Sequence, residues 1–262
     1  MPVSVRIPSR HNATLDDLIR RAVEDHGAIT QIAWARHPTG PADSPGVVSS
    51  VCVIPGADED EIWIAVLRTV NGSTARYIER FTSRMFDTQD DCFFVDCGVS
   101  YDFEAPTDTL TELDHLEGET VAILADGAVY PAQTVSGGQV VLSQAVSKAA
   151  AGLGFQYVLE PMRIDTQSRA GSSRGSLAKI PELVLSFLKT GGAKYGASTA
   201  ALFEIDWRTT EVYDSPPELF TGDKLVTLDG GFDPENPIVI SGEDPLPCTV
   251  RAIVARLDVT GR

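Results

Sequence analysis

Apolar positions in this chain recur mostly at every second residue, in short runs cut by glycine, proline and Asn-Gly or Asp-Gly pairs. That is the pattern of antiparallel strands joined by tight turns. The clearest case is Ile62–Val70, Asn71-Gly72, Ser73–Phe81. A two-residue type I′ turn needs positive φ at both central positions, and Asn-Gly supplies it, so a hairpin is predicted. Its first arm, IWIAVLRTV, is apolar on both faces and predicts a strand covered on both sides. Its second arm sets Ala75, Tyr77 and Phe81 on one face and Arg76 and Arg80 on the other.

Leu113–Leu142 repeats the device. Glu119–Ala125 and Ala128–Val135 flank Asp126-Gly127, and Ser136-Gly137-Gly138 turns into Gln139–Leu142. Further strands are predicted at Ile29–Arg36, Val47–Pro55, Cys92–Ser100, Ala201–Arg208, Asp223–Leu228, Pro237–Ser241 and Thr249–Val259, with Tyr157–Ile164 extended. Ala105–Thr111 reads as a polar connection and residues 143–156 as weakly patterned. Near the N-terminus the period changes. Leu15, Leu18, Ile19, Ala22 and Val23 share one helical face, Thr14 is placed to cap it and Gly27 to stop it, so Leu15–Asp25 is expected to be a helix. Leu177–Thr190 fits either period: Ile180, Leu183, Val184, Phe187 and Leu188 have helical spacing, whereas Leu183, Leu185 and Phe187 alternate as in a strand.

The expected fold is therefore mainly β, with antiparallel sandwich or barrel-like sheets and a short N-terminal helix. We divide the chain into an extension with that helix (1–28), a β-rich domain (29–165) containing a sandwich-like unit at 113–142, and a C-terminal β-rich region (177–262). Residues 166–176, rich in Ser, Gly and Arg, are expected to be a flexible connection.

Composition narrows the function classes. The 262 residues are 43% hydrophobic and 22% charged, enough for a substantial core. No apolar run reaches the roughly 18 residues that span a bilayer as a helix. The first residues, MPVSVRIPSRHNATLDD, lack the apolar segment of a secretory signal. With 37 acidic against 21 basic residues the formal charge is −16. Such a chain is repelled by nucleic acid and by anionic membranes, and no basic run offsets it; Arg20-Arg21 is flanked by Asp16, Asp17, Glu24 and Asp25.

The search for chemistry yields only weak candidates. Cys92 and Cys97 form a C-x4-C pair without a second pair, and Cys52, Cys248 and the four histidines are scattered, so free thiols are expected rather than a metal site. Asp87–Asp91 lacks the ligand spacing of a calcium loop, and Asp58–Glu61 reads as an exposed acidic turn rather than a buried acid–base pair. Gly171 and Gly175 have part of a phosphate-loop spacing, but Ser176-Leu177 stands where Lys-Ser/Thr is needed. Ser198 sits in GASTA, a nucleophile elbow short of its second glycine. His115, beside Asp114 and Glu117, is either a base with an acidic orienter or a turn histidine with local hydrogen bonds. Trp34, Trp63 and Trp207 fall in predicted strands, where core packing is the expected role. No catalytic, cofactor-binding or metal-ligating residue is assigned, and no enzymatic activity is expected.

Several blocks together resemble a known family, the tail nozzle proteins of short-tailed bacteriophages (tail tubular protein B, or tail-hub accessory proteins). They are ITQIAWARH (29–37), SSVCVIPGADEDEIWIAVLRTVNGSTARYIERF (49–81), CFFVDCGVSY (92–101), the 113–142 stretch, and PPELFTGDKLVTLDGGFDPENPIVISGEDPLPCTVRAIVARLDV (216–259). Family members carry a longer stretch ahead of the first block; here residues 1–28 stand there. The resemblance implies a strand at Leu177–Thr190, with Pro181 near its start or at an edge. It also implies a structural virion protein of the tail, assembled in the host cytoplasm. Copies are expected to form a ring, six in number, below the portal and adaptor. The implied partners are other copies, adaptor or portal-side proteins, distal tail proteins and, in passing, the exiting DNA, without specific binding and without a membrane. The acidic balance would then suit a lumen along which a duplex slides. A different class remains open: a receptor-binding tail protein that binds or processes carbohydrate through an acidic cleft.

Overall fold

In the computed structural model, the described residues are 19–25, 28–35, 38–56, 60–83, 85–165, 167–168, 171–172, 176–208 and 215–260. They are mainly β, in antiparallel sheets, and no closed barrel is present among them. Eighteen strands, β1 to β18, are found among them. The chain divides into two compact units that alternate along it: Met1–Asp87, Val95–Ile123 and Pro131–Phe155 in the first, and Thr88–Phe94, Leu124–Tyr130 and Gln156–Arg262 in the second.

The expected N-terminal helix is corrected where the structure describes it. Residues 15–18 lie outside the described residues, and Ile19–Asp25 is strand β1, paired antiparallel with β2 (Ala28–Ala35). Helical spacing of five apolar residues and the capping positions Thr14 and Gly27 supported it, whereas AITQIAWA offers a β-rich partner immediately downstream. A short isolated helix is only marginally stable in water, and pairing with β2 gives the same backbone its hydrogen bonds in a sheet.

The first unit continues with the sheet β3 (Val47–Pro55), β4 (Asp60–Val70) and β5 (Ser73–Arg80), in that order. Asn71 and Gly72 have φ of 47° and 72°, the expected type I′ hairpin. Period 2 sorts β4 cleanly. Ile64 and Val66 are buried against Val48, with Ile62 and Val51 beside them. The opposite face, Trp63, Ala65 and Leu67, is only half-buried, so β4 is not covered on both sides as its composition suggested. The Arg80 guanidinium lies over the Trp63 ring, 5.9 Å from its centroid, and covers part of this face.

A second sheet has the order β6 (Asp96–Leu110), β9 (Val140–Leu153), β7 (Thr120–Ala125), β8 (Ala128–Thr134), the β7–β8 tip being the segment grouped with the second unit. Leu110, Leu113, Leu116, Val121, Ile123, Val140, Leu142 and Val146 are buried. Two expectations change here. The supposed polar connection 105–111 is strand as far as Leu110, and the weakly patterned 143–153 is the body of β9. Both were hidden because their pairing is irregular: the register shifts between Asp102 and Thr107 and again between Thr107 and Thr109, breaking the alternation. Gly98 and Gly152 permit a close approach of the two strands, for a Cβ on Gly152 would stand 2.6 Å from the Gly98 Cα.

In the second unit, β16 (Phe220–Thr227), β13 (Ala178–Thr190) and β18 (Val250–Val259) form one sheet, and β10 (Tyr157–Leu159), β17 (Val239–Gly242), β14 (Lys194–Ser198) and β15 (Ala201–Glu204) another. Leu183, Leu185 and Phe187 point inward from β13 and share a core with Ile180, Ile205, Leu228, Ile238 and Ile240. The Leu177–Thr190 ambiguity is thus settled as strand. Pro181 is near its start, but on the central strand rather than an edge. The register shift between Lys179 and Glu182 accommodates it, because a proline without N–H is tolerated where the ladder is already broken. Trp207 meets Phe187 edge-on at 5.1 Å, as core packing predicts, although β15 has ended at Glu204. Gln167–Ser168 (β11) and Gly171–Ser172 (β12) form a two-residue antiparallel pair.

Candidate functional site

The first unit carries a buried polar cluster beneath β4 and β5. Arg68 continues the inward phase of Ile64 and Val66, so the alternation that buries those two also buries a guanidinium, which is 2% exposed. Its Nε donates to Glu79 Oε1 at 2.6 Å and its Nη2 to Glu79 Oε2 at 2.7 Å, a bidentate pair. Nη2 also donates to Thr39 Oγ1 at 2.5 Å and Nη1 to the Thr39 carbonyl at 3.2 Å. The loop holding Thr39 is anchored by Gly40, whose N–H donates to Asp96 Oδ2 at 2.6 Å. Gly46 closes over the group; a Cβ there would lie 2.8 Å from Arg68 Nη1.

Electrostatics within the cluster are strained in a specific way. Burial opposes the Arg68 charge, but the hydrogen bond and charge of Glu79 outweigh it and raise its pKa. Burial pushes the Asp96 carboxyl up, although Gly40 and Arg68 favour its ionised form. The Cys97 thiol is pushed up to about 12 by burial and then by the Glu79 charge. No side chain in the set is poised as a nucleophile: the thiol is protonated at neutral pH and the guanidinium donates four hydrogen bonds, two to Glu79 and two to Thr39. The arrangement clamps a loop onto a sheet.

His115 lies in a single 3-10 turn, Asp114–Leu116. Its Nε2 is 2.8 Å from the Cys97 carbonyl, and its own carbonyl accepts from the Tyr77 hydroxyl at 3.0 Å. The ring partner is a backbone carbonyl, not a carboxylate, so the turn-histidine alternative holds. Beside it Glu117 accepts from the N–H groups of Gly137 and Gly138, at 3.0 and 2.8 Å, and these hold its carboxyl below the ordinary range. The carboxylate pins the turn that follows β8.

In the second unit a groove of about 260 Å³ is lined by residues that include Lys194, Leu202, Glu204, Ser241 and Glu243. Lys194 is 3.5 Å from Glu204, its register partner, and 3.8 Å from Glu243. Neighbouring Asp244 is pushed up by burial, against the pull of Lys194. The lining has no aromatic side chain. Close by in sequence, the Tyr157 hydroxyl is buried beside the Cys248 thiol, and burial first and then that thiol drive its pKa far above the ordinary value.

The remaining candidates are dispersed. Cys92 is buried, its thiol pushed up to about 12 by burial and nearby Asp91 and Asp90. Cys52 is exposed, and all four cysteines are free. Among the described residues no group of three or more His, Cys, Asp or Glu side chains could hold a metal ion. Gln89–Asp91 is a 3-10 turn. Asp58, Glu59 and Gly175 lie outside the described residues, while Glu61 accepts from Trp63 Nε1 at 2.9 Å and from Arg80 at 2.7 Å, which together lower its pKa. Ser198 ends β14, opposite Ala201.

What the sequence did not disclose is the outer face of β3–β4–β5. Register sets Cys52, Trp63 and Arg80 in one row, Ser50, Ala65 and Ile78 in the next, and Val47, Leu67 and Arg76 in a third. Val47 is 50% and Ile78 75% exposed. The only signal was the Arg76-Tyr77-Ile78-Glu79-Arg80 alternation, which places an isoleucine between two arginines on the solvent side. Trp63 belongs to this face and not to the core, contrary to expectation. No protein-family model matches the chain, and no curated protein matches it significantly.

Proposed function

We propose that this chain is a structural component of a short-tailed phage tail, a ring-forming nozzle or hub segment below the portal and adaptor through which DNA leaves. The reading is supported by the block resemblance and by one observation above all: an open sheet face that mixes exposed apolar residues with two arginines on an otherwise acidic chain. Contiguous exposed apolar surface is a mark of an interaction site. In this reading the buried Arg68–Glu79 clamp keeps that face rigid, which suits an element whose task is to be gripped. The −16 charge keeps a passing duplex from sticking. The carbohydrate alternative draws no support from the Lys194 groove, where stacking aromatics are missing.

Native mass spectrometry of the purified chain, alone and with adaptor or portal, tests the proposal. A ring, alone or on the adaptor, is expected. A strictly monomeric chain that joins no tail particle would overturn it.

A further inference from the structure

We infer that two free sheet edges of the first unit, β5 and β6, bind one another between copies, head to tail. This names the contact that builds the proposed ring and rests on that reading for its closure. Among the described residues β5 pairs only with β4. Because Val70 and Ser73 flank a two-residue turn, pairing alternates so that the backbone groups of Thr74, Arg76, Ile78 and Arg80 point away from β4. The same residues put their side chains into solvent. This edge is basic and apolar.

β6 is a further edge strand, pairing among the described residues only with β9. Its register breaks between Asp102 and Thr107, so Phe103–Pro106 bulges off the ladder. Asp102, Glu104, Ala105, Pro106 and Asp108 are exposed, an acidic and partly apolar edge. Arg76, Glu104 and Asp108 make no ion pair with other described residues. The two edges match in sign. An antiparallel approach that sets Ile78 beside Pro106 brings Arg80 toward Glu104 and Arg76 toward Asp108, exposed residues on and beside the bulge. Pro106 has no N–H, so this part of the contact is made by side chains. It also blunts β6 against indiscriminate strand addition, leaving charge to choose the partner. Since the surfaces differ, the contact is heterologous, and successive copies close into a ring or run on as a filament.

The test uses the full chain. Arg76→Glu with Arg80→Glu reverses one edge; Glu104→Arg with Asp108→Arg reverses the other. Sedimentation velocity over a concentration series reads assembly, and circular dichroism reads folding. If the first pair disturbs the fold, Arg76→Glu alone replaces it, leaving the Arg80–Glu61 contact intact. Each reversed chain is expected to need at least about tenfold more protein to assemble than the wild type. Mixing the two reversed chains is expected to restore assembly, since each then meets a complementary edge. Reversed chains that assemble like the wild type, or a mixture that does not recover, overturn the contact while leaving the ring reading standing. A wild type that stays monomeric by itself overturns the contact too, and the adaptor experiment above then judges the ring separately.

Discussion

Consider replacing Glu79 by leucine. Arg68 is 2% and Glu79 15% exposed. Removing the carboxylate leaves a buried guanidinium with Thr39 as its remaining direct partner and Asp96 as its counter-charge. Breaking a buried ion pair from one side costs about 3–5 kcal/mol, and the residual solvent at Glu79 places this change near about 3. Arg68→Met is more severe, near about 5, because Glu79 and Asp96 are then both left without their cation. The double variant removes both charges of the pair and should cost less than Arg68→Met alone, about 2–3 kcal/mol, for the Thr39 groups left unpaired and for Asp96 left without its cation. Urea unfolding in a Trp207→Phe background reads this through Trp34 and Trp63, which both belong to the first unit. With a slope of about 2 kcal/mol per molar urea, Glu79→Leu lowers the midpoint by about 1.5 M. A single-variant loss below about 1 kcal/mol, or a double variant that costs the sum of the two, would refute the idea that the pair and its loop form one coupled unit.

Other outcomes follow from the same geometry. Asp96, whose folded-state pKa is raised by burial, contributes stability that is complete below its unfolded value and is lost as pH rises through the folded one. Asp96→Asn, which can still accept from Gly40, should therefore gain on the wild type as pH rises from about 3 to 7; thermal melts across pH check this, and a gain at acid pH would contradict it. Adjacent glycines should differ: Gly138→Ala meets Asp114 Oδ1 at 2.5 Å on top of a positive φ, whereas Gly137→Ala meets nothing within 4 Å. The first should lower stability clearly more than the roughly 1 kcal/mol set by φ for the second, read by melting temperature. Tyr157→Phe removes a buried hydroxyl whose polar neighbour is the weakly hydrogen-bonding Cys248 thiol, and should change stability by no more than about 1 kcal/mol. A thiol reagent should label Cys52 fast and Cys92 and Cys97 slowly, as mass spectrometry after brief exposure would show.

Much of the fold was legible where the physics is local. Asn71-Gly72 and Asp126-Gly127 fix their turns through φ alone, and both appear as expected. Long strands with broken ladders were not legible, because β6 and β9 lose their alternation at the bulges and regain it only through each other. The N-terminal helix expectation failed for a related reason: five spaced apolar residues specify a face, but which partner covers it is a tertiary matter. The polar cluster was invisible for a simpler cause. Arg68 and Arg76 look alike in sequence, and only the phases of β4 and β5 relative to the core send the first inward and the second to solvent. The open outer face was half visible, in the arginines that flank Ile78.

The order β6-β9-β7-β8 also bears on how the chain reaches its fold. The β7–β8 hairpin closes across two residues and can form on the microsecond scale. β6 must wait for β9, since Asp96 pairs with Leu153. By then the hairpin between them has already shortened the loop to be closed, lowering the entropy of the last step. Weakening the Asp126-Gly127 turn would therefore slow folding of the whole sheet, and leave the acidic edge of β6 unformed for longer.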